Sequence, residues 1–168
     1  MEKTKYIPTE YLQFHPYRGL IIAFGYTDEN GKDDGKVHIG RIEDWRYTIE
    51  GITEQVSEFY IDVCLKGVVG KSGLRTSFEP YRMINIHIAT KEEIEELTDS
   101  LRAIYYQRII EDAEEAEKIY TPSLEENQRW ENYITEIANI SVKYGFSARD
   151  LWCHLNDKAR EEGWMAKY

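Results

Sequence analysis

Up to about residue 90 the apolar positions recur with a period of two. Leu20, Ile22, Phe24 and Tyr26 alternate with Ile21, Ala23 and Gly25, and Phe59, Ile61, Val63 and Leu65 alternate with Tyr60, Asp62, Cys64 and Lys66. This is the pattern of pleated strands, whose side chains point alternately to two faces. Shorter alternations at Val37 and Ile39, at Trp45, Tyr47 and Ile49, and at Met83, Ile84, Ile86 and Ile88 around Asn85 and His87 bring the expected number to about five strands over residues 18–90. The Asn30-Gly31 step within Thr27–Gly35 favours left-handed torsions and predicts a hairpin turn. Connections this short predict antiparallel pairing, because parallel neighbours need crossovers of a dozen or more residues.

Beyond residue 90 the period becomes 3.6. Thr90 and Glu93 form a capping box, and Glu92, Glu93, Glu95 and Glu96 sit at the electropositive start of the helix that follows. Ile94, Leu97, Leu101, Ile104, Tyr105, Ala113, Ala116 and Tyr120 trace one drifting face over residues 91–119, with a break expected near Ile109 and with Arg108 and Asp112 interrupting the stripe. Thr121-Pro122-Ser123 starts a second helix over residues 122–144, with an apolar stripe of Leu124, Trp130, Tyr133, Ile134, Ile137 and Ser141. Gly145 is a left-handed stop, and Ser147 with Asp150 opens a third helix over residues 148–162. A β-rich half (1–90) followed by an acidic helical half (91–168), without a Pro/Gly/Ser-rich linker, predicts one α+β domain spanning residues 1–168.

Composition adds three constraints. A chain of 168 residues with 42% hydrophobic and 31% charged side chains is globular, and at this length buries ~70% of its unfolded surface without needing disulfides or metal. The stretch after Met1 has no apolar segment of the signal-peptide kind, and no run approaches the roughly 20 apolar residues of a membrane span. The expected setting is the cytoplasm, with no membrane contact. Cys64 and Cys153 do not form a metal or redox motif, and no cofactor or metal is expected.

Charge is divided unevenly. Residues 1–90 carry eleven basic and thirteen acidic side chains, whereas residues 91–168 carry ten and eighteen, within a total of −10. That balance argues against a phosphate-binding footprint and against direct nucleic-acid contact. The carboxylates Glu92, Glu95, Glu96, Asp99, Glu111, Asp112, Glu114, Glu115 and Glu117 crowd the first long helix. Displayed outward, they form a docking strip for a basic partner, with fast, salt-sensitive association. The leading expectation is therefore a non-enzymatic binding protein that engages a basic, nucleic-acid-binding partner. In its concrete version it is an inhibitor occluding a nucleic-acid channel, of the type of small phage-encoded anti-defence or anti-CRISPR proteins. Thirteen tyrosines, among them Tyr11, Tyr105 and Tyr106, exceed what a core needs and suit a protein interface, while Trp130, Tyr133 and Trp152 are expected inside. Pairing of the long helix with a second copy is compatible with the pattern.

Two other readings have residues behind them. Ile140 to Leu151, with Ser141, Gly145, Phe146, Ser147 and Leu151 at their positions, resembles the helix-turn-helix pattern of DNA-binding proteins. The resemblance implies a regulator acting through residues 137–160, with Ser147, Ala148, Arg149, Trp152 and Cys153 starting the groove-reading helix. The net charge of −1 over residues 148–162 runs against it. Alternation also places His38, Tyr60, Asp62, Cys64, Asn85 and His87 opposite their strands' apolar residues, so a small hydrolase built on Asp62, Cys64 and His87 is the third reading. His154 has no partner by spacing. Gly67-Val68-Val69-Gly70-Lys71-Ser72 lacks the glycine spacing of a phosphate-binding loop, and the acidic turn at Asp28–Asp34 places Arg41 where a calcium loop needs a bidentate carboxylate.

Overall fold

A computed structural model describes residues 5–13, 19–50, 53–63, 74–116, 124–161 and 163. Five strands precede three helices: β1 (Ile21–Tyr26), β2 (His38–Glu50), β3 (Thr53–Asp62), β4 (Arg75–Phe78), β5 (Met83–Ile88), α1 (Lys91–Ala116), α2 (Leu124–Tyr144) and α3 (Ala148–Glu161). Short 3-10 turns at Thr9–Gln13 and Pro80–Arg82 complete the described elements. The strands form one antiparallel sheet in the order β4-β3-β2-β1-β5, as the α+β reading required. The alternations at Val37 to Ile39 and at Trp45 to Ile49 turn out to belong to one 13-residue strand, β2. The short strand β4 was not anticipated, because four residues are too few for a period to emerge.

Local chemistry explains the element ends. In the β1–β2 turn, the Asp28 carboxylate accepts from the amides of Asn30 and Lys32, and Gly31 takes φ +80° to close the reversal. At the start of α1 the capping box is complete: the Glu93 amide donates to Thr90 Oγ1 at 3.2 Å, and the Thr90 amide donates to Glu93 Oε1 at 2.9 Å. The helix runs unbroken through Ile109 for 26 residues, about 39 Å at 1.5 Å per residue. α2 ends where Gly145 adopts φ +73°, and the Asp150 amide reaches Ser147 Oγ at the start of α3.

Strand β5 departs from period two. Met83 and Ile86, three apart, are both buried, while Ile88 is exposed. Register explains it: Ala23 pairs with His87 but Gly25 pairs with Ile84, so β5 carries one extra residue, and Asn85 takes φ +53° there. Asparagine is among the few side chains that tolerate that torsion, and a bulge moves every later side chain to the other face. β1 also breaks alternation, since Ile22, Ala23 and Phe24 are all buried. Both faces of the sheet are covered at its centre. Buried residues from the strands, from α1, α2 and α3, and Leu12 from the first 3-10 turn join in one apolar cluster.

Candidate functional site

α1 and α2 run antiparallel and are tied at both ends. Lys143 of α2 pairs with Glu96 near the start of α1, and Arg129 of α2 pairs with Glu114 near its end. Ile94, Leu97, Leu101, Ile104 and Tyr105 of the predicted face are buried or packed against the core, whereas Ala113 of the same face is exposed; the Ala116 side chain and Tyr120 lie outside the described residues. Arg108 and Asp112 continue the same helical face, and there the contact between helices turns polar. Arg108 Nη1 lies 3.7 Å from Glu111 Oε2 and Nε lies 3.7 Å from Asp112 Oδ1, with all three side chains largely enclosed. The guanidinium sits 5.1 Å from the ring centre of Trp130 and 5.7 Å from that of Tyr133. Tyr133 is fully buried, its hydroxyl meets no partner, and burial pushes its pKa up to about 12 despite the opposing charge of Arg108.

The acidic residues of α1 therefore divide into two groups. Glu92, Glu95, Glu96 and Asp99 are exposed, although Glu95 is within 3.7 Å of Lys91 and Glu96 meets Lys143. Glu111 is 9% exposed and, like Asp112, faces Arg108, while Glu114 meets Arg129. Only the backbone of Glu115 is described, and Glu117 lies outside the described residues, as do Cys64 and the Thr121-Pro122-Ser123 start signal. The outer line of α1 instead continues from Asp99 through Ala103 to Tyr106, 64% exposed, and Ile110, 58% exposed. Positions 92, 95, 96, 99, 103, 106 and 110 form one stripe at helical spacing: carboxylates over its first two turns, apolar surface over the rest. The apolar half was not foreseen, although the steps from 99 to 103, 106 and 110 were visible in the sequence as a second 3.6-period line.

The aromatic expectations hold in part. Tyr133 and Tyr105 are buried and Tyr106 and Tyr11 exposed, but Trp130 is 40% and Trp152 37% exposed. Trp130 keeps this exposure while stacking on the buried Tyr133 and lying over the Arg108 guanidinium.

The sheet residues are not gathered into one group. His38 pairs in register with Phe24 and stacks on it at 5.3 Å, so it lies among aromatic side chains and not opposite them. Its Nε2 meets Asp34 Oδ2 at 3.0 Å, its Nδ1 is buried without a partner, and Tyr26 and Phe78 present their edges to the ring. Asp62 is buried on β3 between Arg41 of β2 and Arg75 of β4. His87 is on β5, three strand spacings away in the sheet order, or ~14 Å. It meets the Asn85 carbonyl and the Glu93 carboxylate, each at 3.0 Å. Its role is to tie β5 to the start of α1. Burial works against the charge of Glu93, but the Thr90 and His87 hydrogen bonds outweigh it and hold the carboxyl below its usual 4.5.

The histidine that shares a field with Asp62 is His154 of α3. Its Nε2 is buried without a partner, as is Oδ1 of the neighbouring Asn156. Among the described residues no group of three or more His, Cys, Asp or Glu side chains is placed to hold a metal ion.

Burial lowers the pKa of both His38 and His154 below 6.5, although Asp34 opposes the shift at His38 and Asp62 opposes it at His154. As pH falls below 6.5 the unfolded chain takes up these two protons before the folded one does. Stability is complete above pH 6.5 and declines toward each lowered folded value, by about 1.4 kcal/mol per pH unit per histidine. Urea unfolding at pH 7.5 and 5.5 is expected to show this loss, and His38→Phe to reduce it; an unchanged slope in that variant removes His38 from the account.

The segment resembling a helix-turn-helix has the corresponding backbone: α2, a turn at Gly145, Phe146 and Ser147, then α3. Ser141, Phe146 and Leu151 are buried, while Ala148, Arg149, Asp150, Trp152 and Cys153 are exposed. Among the described residues no helix is long and apolar enough to cross a membrane. No protein-family model matches the chain, and no curated protein or solved structure shows significant similarity to it.

Proposed function

We propose that this protein binds another protein through the outer stripe of α1 and that the partner's matching surface is basic. The observation that carries this reading is the exposure of Tyr106 and Ile110 in line with Glu92, Glu95 and Asp99. An aromatic and an aliphatic side chain beside unburied carboxylates combine the two components of a protein interface, an apolar centre and a charged rim. The net charge of −10 adds long-range attraction for a basic surface. Basic surfaces of that extent belong above all to nucleic-acid-binding proteins, and occupying one blocks its phosphate contacts. The reading in its concrete form is thus an inhibitor of a nucleic-acid-binding protein. The alternative, DNA reading by α3, is supported by the turn geometry; against it, Arg149 in the first turn of that helix is accompanied by Asp150.

The test replaces Tyr106 by a photo-crosslinking aromatic residue in the full chain and identifies what it captures from lysate. Basic nucleic-acid-binding proteins are expected, with capture lost in the Glu92→Lys/Asp99→Lys variant. Capture is also expected to fall as salt rises from about 0.1 to 1 M, where the screening length drops from ~10 to ~3 Å. Capture indifferent to both charge reversal and salt overturns the proposal. Retention of the chain itself on duplex DNA at moderate salt overturns it in favour of α3.

A further inference from the structure

Between the two ion pairs that tie α1 to α2 lies a groove. It has a volume of about 370 Å³ and is lined by Ala103, Ile104 and Gln107 of α1 and by Asn132, Thr135 and Glu136 of α2. Its size falls at the small end of the ~300–1,000 Å³ range of ligand clefts. Ile104 is buried and forms the floor. Ala103, small and exposed on the edge of the outer stripe, leaves the groove open on that side.

The walls keep acceptor capacity on both helices. Gln107 directs Nε2 to Glu111 Oε1 at 3.4 Å, which leaves its own Oε1 available. Asn132 Oδ1 accepts from Gln128 Nε2 at 3.1 Å and retains a second lone pair. Thr135 Oγ1 donates to the Glu131 carbonyl, so its lone pairs remain to accept. Glu136 is exposed and forms no ion pair among the described residues. Asn132 Nδ2 and one Gln107 Nε2 hydrogen remain as donors, but the Glu136 carboxylate, acceptor oxygens on both helices and an apolar floor, with no cation among the described lining residues, favour a cationic ligand with an apolar stem.

We infer that this groove takes a single arginine side chain of the partner, with its methylene stem over Ala103 and Ile104 and its guanidinium against Glu136, Asn132 and Gln107. The inference rests on the protein-binding reading and names the group by which the partner is held. Arginine fits better than lysine because a planar fork with five donors reaches acceptors on both helices at once, whereas an ammonium is a compact point charge. The fixed separation of α1 and α2 keeps the site formed before binding, so little ordering is lost on association.

The test is a nitrogen-15 NMR titration of the full chain with N-acetyl-arginine amide, set against its neutral isostere N-acetyl-citrulline amide and against N-acetyl-lysine amide. A fragment of this size is expected to bind with Kd on the order of 1 mM. Arginine amide is expected to shift the side-chain amide signals of Gln107 and Asn132 and the backbone signal of Ala103. Citrulline amide is expected to leave them in place, and Glu136→Gln to weaken the response at least about fivefold. Absence of these shifts, an equal response to citrulline or lysine, or indifference to Glu136→Gln overturns the inference. The Tyr106 crosslink reports separately. Capture of a basic protein with a silent titration overturns the groove alone, and a positive titration without capture overturns the protein-binding reading alone.

Discussion

Replacing Gly145 by alanine is expected to destabilise the protein by about 2–4 kcal/mol, lowering its melting temperature by roughly 10 °C for a chain of this size. Two costs combine at this position. The backbone is at φ +73°, where a side chain adds about 1 kcal/mol. A Cβ built there would also overlap the ring of His38 at Cε1 and Nδ1, closer than real carbon atoms approach. His38 cannot retreat, because Phe24 stacks on it, Tyr26 and Phe78 hold its edges, and Asp34 fixes its far nitrogen. Nor can the turn lift easily, since the Val37 amide donates to the Lys143 carbonyl at 2.8 Å and ties β2 to the end of α2. Gly31→Ala is the control. It has a similar torsion, φ +80°, with nothing within 4 Å of the added carbon, so only the torsional part is expected, about 1 kcal/mol. Thermal unfolding of the two variants separates the terms; equal losses would show that the packing of His38 against the turn contributes nothing.

Removing Arg108 is expected to have an effect of similar size by a different route. Arg108→Met keeps most of the apolar stem but takes the guanidinium away from Glu111 and Asp112 in a largely enclosed contact. Breaking one partner out of a buried charge group costs ~3–5 kcal/mol, because the remaining charges stay desolvated. The loss is expected to shrink toward pH 4, where carboxylates take up protons. It is also expected to be largely recovered in the Arg108→Met/Glu111→Gln/Asp112→Leu variant, in which no charge remains to compensate. Chemical denaturation at pH 7 and pH 4 checks both statements. A loss under 1 kcal/mol at pH 7 would mean that the cluster is hydrated like a surface pair. The outer stripe of α1 does not include Arg108, so partner capture at Tyr106 is expected to survive wherever the variant remains folded.

The sequence by itself determined the order and type of the long elements and the chemistry of their ends. Period two before residue 90 and period 3.6 after it are backbone properties. The Thr90–Glu93 box, the turn at Asn30-Gly31 and the stop at Gly145 each act within a few residues, so each could be read locally and was found in place. What depends on pairing between distant segments was not legible. The bulge at Asn85 exists only relative to β1, and it decides which of Met83, Ile84, Ile86 and Ile88 are buried. His38 was expected opposite the apolar residues, yet it is interior because the α2–α3 turn and the aromatic side chains enclose it.

The same holds for the candidate surface. Ten carboxylates over residues 91–119 are a fact of the sequence, but which of them are free for a partner depends on Arg108, Arg129 and Lys143, two of them on another helix. A charge is available or neutralised according to what stands within a few ångströms, and that distance belongs to the tertiary structure alone. The packing of α2 against α1 leaves the carboxylates open at one end of the helix, the apolar pair Tyr106 and Ile110 beyond them, and the polar-walled groove alongside.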